Sequence, residues 1–294
     1  MTPVAVQAFD DQAAPARRLA GELGAPFAPI RLHRFPDAEV MPIVQAAETV
    51  VAYCSLDHPN ARLIALLLAA DAWRRAGASR LVLVAPYLCY LRQDRVFHPG
   101  EPLSRDVIGG LLGSAFDRLV TVDAHLHRTH NLSAVFGGIE ADDISAAGPL
   151  ALALSGPESP LVVGPDSESE PWVRRIAERL GGEVLMFRKV RRADADVRLV
   201  APDLGPVRGR PALIVDDICS SGATLCVAAR LLREAGAASI AAGVVHALFD
   251  ADAEARMRAA GVSRIVSTDS VFHSTNHASL AGVLAAALRD EVQS

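Results

Sequence analysis

Short apolar runs alternate with longer amphipathic stretches along the whole chain, and they do so in two successive cycles. Runs at 4–8, 50–55, 81–85 and 119–122 carry the branched and apolar residues of buried strands, while 12–23, 60–76 and 105–114 have helical periodicity. The cycle restarts with strands at 161–163, 184–187, 212–215, 240–245 and 264–267, and helices at 171–180, 223–235, 252–259 and 278–287. Strands that alternate with helices predict parallel sheets covered on both faces. The expected fold is therefore α/β: two similar domains, each a mostly parallel sheet flanked by helices. A Gly148-Pro149 step after a polar turn places the expected boundary between 1–146 and 147–294.

A chain of 294 residues that is 51% hydrophobic can bury two cores of ordinary size. The longest apolar run, near 63–72, is interrupted by Asp71 and reads as a buried helix rather than a membrane span. The opening MTPVAVQAFDD lacks the features of a secretory signal. The four cysteines, Cys54, Cys89, Cys219 and Cys226, lack metal-ligand spacing and read as reduced thiols of a cytoplasmic protein. A net charge of −5 gives no reason to expect nucleic acid, so a polyanionic substrate needs a local cationic site. Of the 29 basic residues, 28 are Arg and one is Lys189. A single ammonium among so many guanidiniums is either chance or a place where a compact, flexible cation cannot be replaced by a planar fork.

In open parallel sheets, ligands sit off the carboxyl ends of strands. The strongest motif lies at such an end: Leu213-Ile214-Val215-Asp216-Asp217, then Ile218-Cys219-Ser220-Ser221-Gly222-Ala223-Thr224 and a helix. Small residues let backbone N–H groups approach an anion, and a helix N-terminus adds partial positive charge. Ser220, Ser221 and Thr224 add hydroxyl donors. The two acids do not favour phosphate; they suit ribose hydroxyls or a metal. This segment resembles the 5-phosphoribosyl-1-pyrophosphate motif of type I phosphoribosyltransferases and ribose-phosphate diphosphokinases. The resemblance implies that Ser220, Ser221, Gly222, Ala223 and Thr224 hold the 5-phosphate of ribose 5-phosphate, with Asp216 and Asp217 facing the sugar hydroxyls.

Other segments separate those two classes. Arg34-Phe35-Pro36-Asp37-Ala38-Glu39 resembles the RF-x-D-G-E segment of the diphosphokinases, which implies that Phe35, Asp37 and Glu39 reach the adenine of ATP, that of a neighbouring subunit. Pro86-Tyr87-Leu88-Cys89-Tyr90-Leu91-Arg92-Gln93-Asp94-Arg95 resembles PY-x-x-Y-x-RQDR, placing Arg92 and Gln93 on ATP. Asp123-Ala124-His125 matches the family's D-x-H, and Asp166 its PD; by that match His125 and Asp166 are metal ligands. The run Ser167-Glu168-Ser169-Glu170 departs from the family's glycine-rich stretch, and His127, His130, His273 and His277 receive no role. Lys189 and Arg191 match the K-x-R of the family's flexible catalytic loop.

These matches run in order over nearly the whole chain, so the chain resembles the ribose-phosphate diphosphokinase family. That implies transfer of the β,γ-diphosphate of ATP to the 1-hydroxyl of ribose 5-phosphate, with Mg²⁺ as cofactor. It also implies a homo-oligomer, a dimer or a hexamer. The segment Val96-Phe97-His98-Pro99-Gly100 lacks the basic residues of many regulated members. A non-catalytic nucleotide-binding regulatory relative and a base-specific phosphoribosyltransferase stay open as alternatives. There is neither a P-loop nor a dinucleotide fingerprint, so side chains and metal must hold the triphosphate.

Overall fold

The computed structural model describes residues 2–96, 98–126, 131–156, 158–165, 169–193, 196–200 and 203–293, with the backbone alone at 189–193 and 196–200. The chain divides into two compact units, Met1–Ser145 with Leu280–Ser294, and Ala146–Ser279.

In the first unit, β1 (Thr2–Phe9) leads through α1 (Ala13–Leu23) to the hairpin β2 (Phe27–Arg34) and β3 (Val40–Ile43). Then come β4 (Ala47–Tyr53), α2 (Pro59–Arg75), β5 (Arg80–Ala85), α3 (Ser104–Ala115), β6 (Arg118–Val122), α4 (Leu132–Val135) and β7 (Glu140–Ile144). The sheet order is β3-β2-β1-β4-β5-β6-β7, parallel except for the β2–β3 pair. Its central strands are apolar on both faces, as burial between two helical layers demands. Ile30, Val50, Leu66, Trp73, Leu83 and Leu119 belong to one core cluster. On α3, Gly109 and Gly113 face the backbone carbonyls of Val135 and Phe136 so closely that a methyl group on either would overlap them.

The second unit opens with α5 (Ala147–Leu154), at the expected domain boundary. It continues through β8 (Leu161–Gly164), α6 (Glu170–Leu180), β9 (Glu183–Met186) and an antiparallel hairpin, β10 (Arg188–Ala193) with β11 (Asp196–Val200). Next are β12 (Pro211–Cys219), α7 (Ala223–Glu234), β13 (Ser239–Ala247), α8 (Ala251–Ala260), β14 (Arg264–Thr268) and β15 (Asn276–Ala278). The sheet order is β15-β14-β13-β12-β8-β9, with every pairing parallel. The chain starts at β8, steps to β9 on one side and then to β12 on the other. The β8/β12 carboxyl ends are thus the switch point of this sheet, where α/β folds bind ligands.

The last segment departs from the expected boundary at 147–294. Both α9 (Ala281–Ala287) and α10 (Arg289–Gln293) return to the first unit. Packing on α1 helps bury Leu284 and Ala285 of α9. Beyond it, Glu291 accepts from Arg80 and Arg118, both at strand starts of the first sheet. A local reading sees only another amphipathic stretch; the apolar stripe and the two guanidiniums that receive it lie far away in sequence. The strand over Asn276–Ala278 likewise delays the helix expected from residue 278 until Ala281.

Candidate active site

In the first unit the expected ATP residues and the expected metal ligand His125 stand on three loops at the carboxyl edge of the sheet. The β2–β3 turn is closed by Phe35 N–H donating to Glu39 O at 2.9 Å and Ala38 N–H to Phe35 O at 3.0 Å. The Asp37 carboxylate accepts from Glu39 N–H at 3.2 Å, so part of its hydrogen-bonding capacity goes to shaping the turn. Phe35 is 39% exposed and meets His33 edge-on at 4.5 Å between ring centroids. The turn thus presents an aromatic ring with two carboxylates beside it.

After β5, buried Leu88, Cys89 and Leu91 anchor the loop that carries Arg92 and Gln93. Tyr90 donates its hydroxyl to Asn60 Oδ1 at 2.5 Å. Gln93 Oε1 accepts from Ser104 Oγ at 2.5 Å and so pins the first turn of α3, while Arg92 is exposed. After β6, Asp123 N–H donates to Ile144 O at 3.0 Å and Ala124 N–H to Asp143 Oδ1 at 2.9 Å, leaving His125 half-buried. Among the described residues, the non-glycine residues with left-handed backbone are Ala38, Tyr90 and Asp123, one in each loop. Such conformations concentrate where function over-determines the backbone.

Sequence reading missed Gln12. It is buried behind the β4 exit, donating to Ser55 O at 2.9 Å and accepting from Ser55 N–H at 2.7 Å. Those two hydrogen bonds to one backbone residue fix the strand end; a glutamine that follows two aspartates in a polar turn gives no warning of it.

In the second unit β12 runs on to Cys219, so Asp216 and Asp217 belong to the strand rather than following it. Asp216 Oδ1 accepts from Asp217 N–H at 3.1 Å, and Asp217 Oδ1 from Ile218 N–H at 2.7 Å. Cys219 O accepts from Leu248 N–H at 2.8 Å, tying the loop entrance to the β13 exit. Ser220 and Ser221 are exposed, Gly222 has φ +69°, and Ala223 begins α7. Ser221 Oγ accepts from Ala223 N–H at 3.4 Å. Among the described residues, the Gly222 amide is directed at the Cys219 thiol, while the amides of Ser221, Thr224 and Leu225 donate to no acceptor. These are the orphan donors of a helix start, gathered at the switch point of the sheet.

Lys189 and Arg191 stand on β10, opposite Leu199 and Val197 of β11. The segment expected as a loop is thus a β-hairpin in its backbone. Asp166, His127 and His130 lie outside the described residues. Burial pushes the thiols of Cys54, Cys89 and Cys219 up to about 12, so none is a thiolate nucleophile at neutral pH.

Comparison with known proteins now adds to this geometry. The profile of the N-terminal domain of ribose phosphate pyrophosphokinase matches residues 5–115, and the phosphoribosyl transferase domain matches 152–279. A ribose-phosphate pyrophosphokinase of Methanopyrus kandleri is 35% identical over 93% of this chain and 94% of its own length. Another, of Methanothermobacter thermautotrophicus, is 32% identical over 94% and 96%. The chain belongs to the ribose-phosphate pyrophosphokinase family. The crystal structure of phosphoribosylpyrophosphate synthetase from Mycobacterium smegmatis superposes with a TM-score of 0.80 over 99% of both chains, at 24% identity, which supports the shared fold.

Family membership agrees with the order of the motifs along the chain. Where the family segment named above has glycine in RF-x-D-G-E, this chain has Ala38, and it keeps the left-handed turn nonetheless, with φ 71°.

Proposed function

We infer that this chain is a ribose-phosphate diphosphokinase. It moves the β,γ-diphosphate of ATP to the 1-hydroxyl of ribose 5-phosphate, giving 5-phosphoribosyl 1-diphosphate and AMP. The observation that carries the reading is the set of amides of Ser221, Thr224 and Leu225 left without an acceptor among the described residues at the start of α7, in the same strand–loop–helix segment as the carboxylates of Asp216 and Asp217. Amides at a helix N-terminus suit a phosphate dianion. The two carboxylates offer acceptors for sugar hydroxyls. An anion cradle flanked by acids fits a phosphorylated sugar better than a free phosphate.

On this reading the sugar phosphate belongs to the second unit and ATP to the first. Phe35 stacks on the adenine, Asp37 and Glu39 accept from its edge, and Arg92 and Gln93 meet the polyphosphate. The 1-hydroxyl attacks the β-phosphorus in line, and the bond to the α-phosphate oxygen breaks as AMP leaves. Such transfers depend on positioning and charge stabilisation more than on covalent help from the protein. Lys189 and Arg191 neutralise the group in flight.

Among the described residues no three His, Cys, Asp or Glu side chains group into a metal cage. Mg²⁺ keeps its waters and is held by one or two carboxylates together with substrate phosphates. His125 and Asp166 are the proposed protein ligands, and the ion supplies charge neutralisation on the β- and γ-phosphates when bound.

A homo-oligomer accords with an exposed aliphatic surface on the first unit. Ile64 and Leu68 on α2, and Val107 and Leu111 on α3, repeat at i, i+4 and lie open to solvent. Cytoplasmic placement accords with four free, buried cysteines; no helix among the described residues is long and apolar enough to cross a membrane.

The test is AMP release from ATP and Mg²⁺ with ribose 5-phosphate and with other pentose and hexose phosphates. Ribose 5-phosphate should be the substrate used best. AMP release that is independent of any sugar phosphate, or none at all, sinks the assignment.

A further inference from the structure

The side chain of Gln93 is held in place by the helix that follows its loop. Its carboxamide oxygen accepts from Ser104 Oγ at 2.5 Å, and its backbone carbonyl accepts from Arg105 N–H at 3.4 Å. Two successive residues in the first turn of α3 thus grip one residue of the loop after β5. The helix they stand on is a firm support, because Gly109 and Gly113 let it lie directly on the backbone carbonyls of Val135 and Phe136. The N-cap of α3 is Leu103, and no side chain caps the helix, so the Ser104 hydroxyl is not engaged by the helix start.

The length of the bond fixes which way the carboxamide faces. A hydroxyl-to-oxygen hydrogen bond measures roughly 2.5–3.0 Å, and an N–H-to-oxygen bond roughly 2.7–3.2 Å. At 2.5 Å the atom that meets Ser104 Oγ is the carboxamide oxygen, with the hydroxyl as donor. The NH2 group diverges from the same carbon and so faces away from this contact. Among the described residues it donates to no acceptor. Polyphosphate oxygens only accept hydrogen bonds, so a carboxamide turned the other way would set oxygen against oxygen. An unheld glutamine samples both orientations; the bond from Ser104 removes the repulsive one.

We propose that Ser104 is a positioning residue for ATP: by holding Gln93 Oε1 it aims the Gln93 NH2 group at the polyphosphate. Ser104 itself touches no substrate. This rests on the reading of Gln93 as an ATP residue.

The experiment compares Ser104→Ala with the parent enzyme in steady-state kinetics, varying ATP and ribose 5-phosphate separately. Alanine suits the first turn of a helix, so the variant should fold. Both partners are half-buried, so water replaces the lost bond only in part. KM for ATP should rise about three- to tenfold while KM for ribose 5-phosphate stays within about twofold, a split that general loosening of the fold would not give. Ser104→Thr keeps the hydroxyl and should hold KM for ATP within about twofold of the parent. Removing Gln93 separates positioning from direct contact. In a Gln93→Ala background, Ser104→Ala should raise KM for ATP no further, because the group it aims is gone. A further rise there, an unchanged KM for ATP in Ser104→Ala alone, or equal rises in both KM values overturns the proposal. Gln93→Ala with the parent's KM for ATP overturns the ATP reading of Gln93 instead, so the two failures are distinct.

Discussion

The return of the C-terminal segment to the first unit makes a quantitative prediction at Glu291. Its side chain is 3% exposed and its two oxygens take three donors: Arg80 Nε and Nη2, each at 2.6 Å, and Arg118 Nη1 at 2.8 Å. Removing one partner of a buried ion pair costs roughly 3–5 kcal/mol when the other charge is left stranded. Here the stranding is partial. Arg80 is 37% exposed and can rehydrate, and Arg118 keeps Asp142 at 2.8 Å and Asp290 at 2.9 Å. Glu291→Gln should therefore cost about 2–3 kcal/mol, which for a unit of this size lowers Tm by about 4–12 °C.

The two units need not melt together, so the assay must report on one of them. The chain has 2 Trp: Trp73 is buried in the first unit, and Trp172 lies on α6 of the second. In a Trp172→Phe background, fluorescence follows the first unit alone. Burial alone would raise the Glu291 pKa, but hydrogen bonds from Arg80 and Arg118 outweigh it and hold the value below the ordinary 4.5. A carboxylate with a depressed folded pKa contributes stability above its unfolded pKa and loses it as pH falls through the folded value. The Tm gap should thus be full at neutral pH and close progressively as the pH drops below about 4.5. Equal melting at pH 7, or a gap that widens in acid, refutes the account of this network.

Three further outcomes are expected. Lys189→Ala should fold and bind ribose 5-phosphate normally, yet lose turnover by about 10²–10³-fold, since a cation that acts at the transition state is missing; near-normal turnover would remove Lys189 from the mechanism. Gly222→Ala should weaken ribose 5-phosphate binding by roughly tenfold in calorimetry, because φ +69° strains any L-residue and the new methyl meets Met257. Wild-type affinity there would mean that the loop does not bind in the conformation seen. Ala38→Gly should stabilise the protein modestly, by about 0.5 kcal/mol, as relief of the left-handed strain exceeds the added chain entropy of glycine; urea unfolding that shows a loss of stability would refute that balance.

The parts of this protein that could be read from sequence are those whose cause is local. The phosphate cradle needs a strand, two acids, a run of small residues and a helix start, all contiguous over 213–225. The central strands announce themselves because burial on both faces makes them uniformly apolar. The hairpin of β2 and β3 does not, since Phe27–Arg34 contains Pro29, Arg31, His33 and Arg34, and its pattern is set by an antiparallel partner rather than by a helical cover. β7 is hidden in an acidic run, Glu140-Ala141-Asp142-Asp143-Ile144; part of the compensation for its charge comes from Arg118 on the next strand. Gln12 was invisible because its value lies in one backbone residue, Ser55, reached through tertiary packing.

The three left-handed residues extend this argument from fold to site. Each costs roughly 1–2 kcal/mol relative to an ordinary conformation. Each is held by a bond from outside its own peptide: Ala38 by the turn closed between Phe35 and Glu39, Tyr90 by Asn60, and Asp123 by the carbonyl of Ile144. A protein that carried this strain for packing alone would spread it through its turns. Here it falls in the loops that follow β2, β5 and β6, all at the carboxyl edge of the first sheet. Those are the loops that bear Phe35, Arg92 and His125. The backbone there is fixed by more contacts than its own conformational preference supplies, as expected where side chains must be ready for a ligand before it arrives.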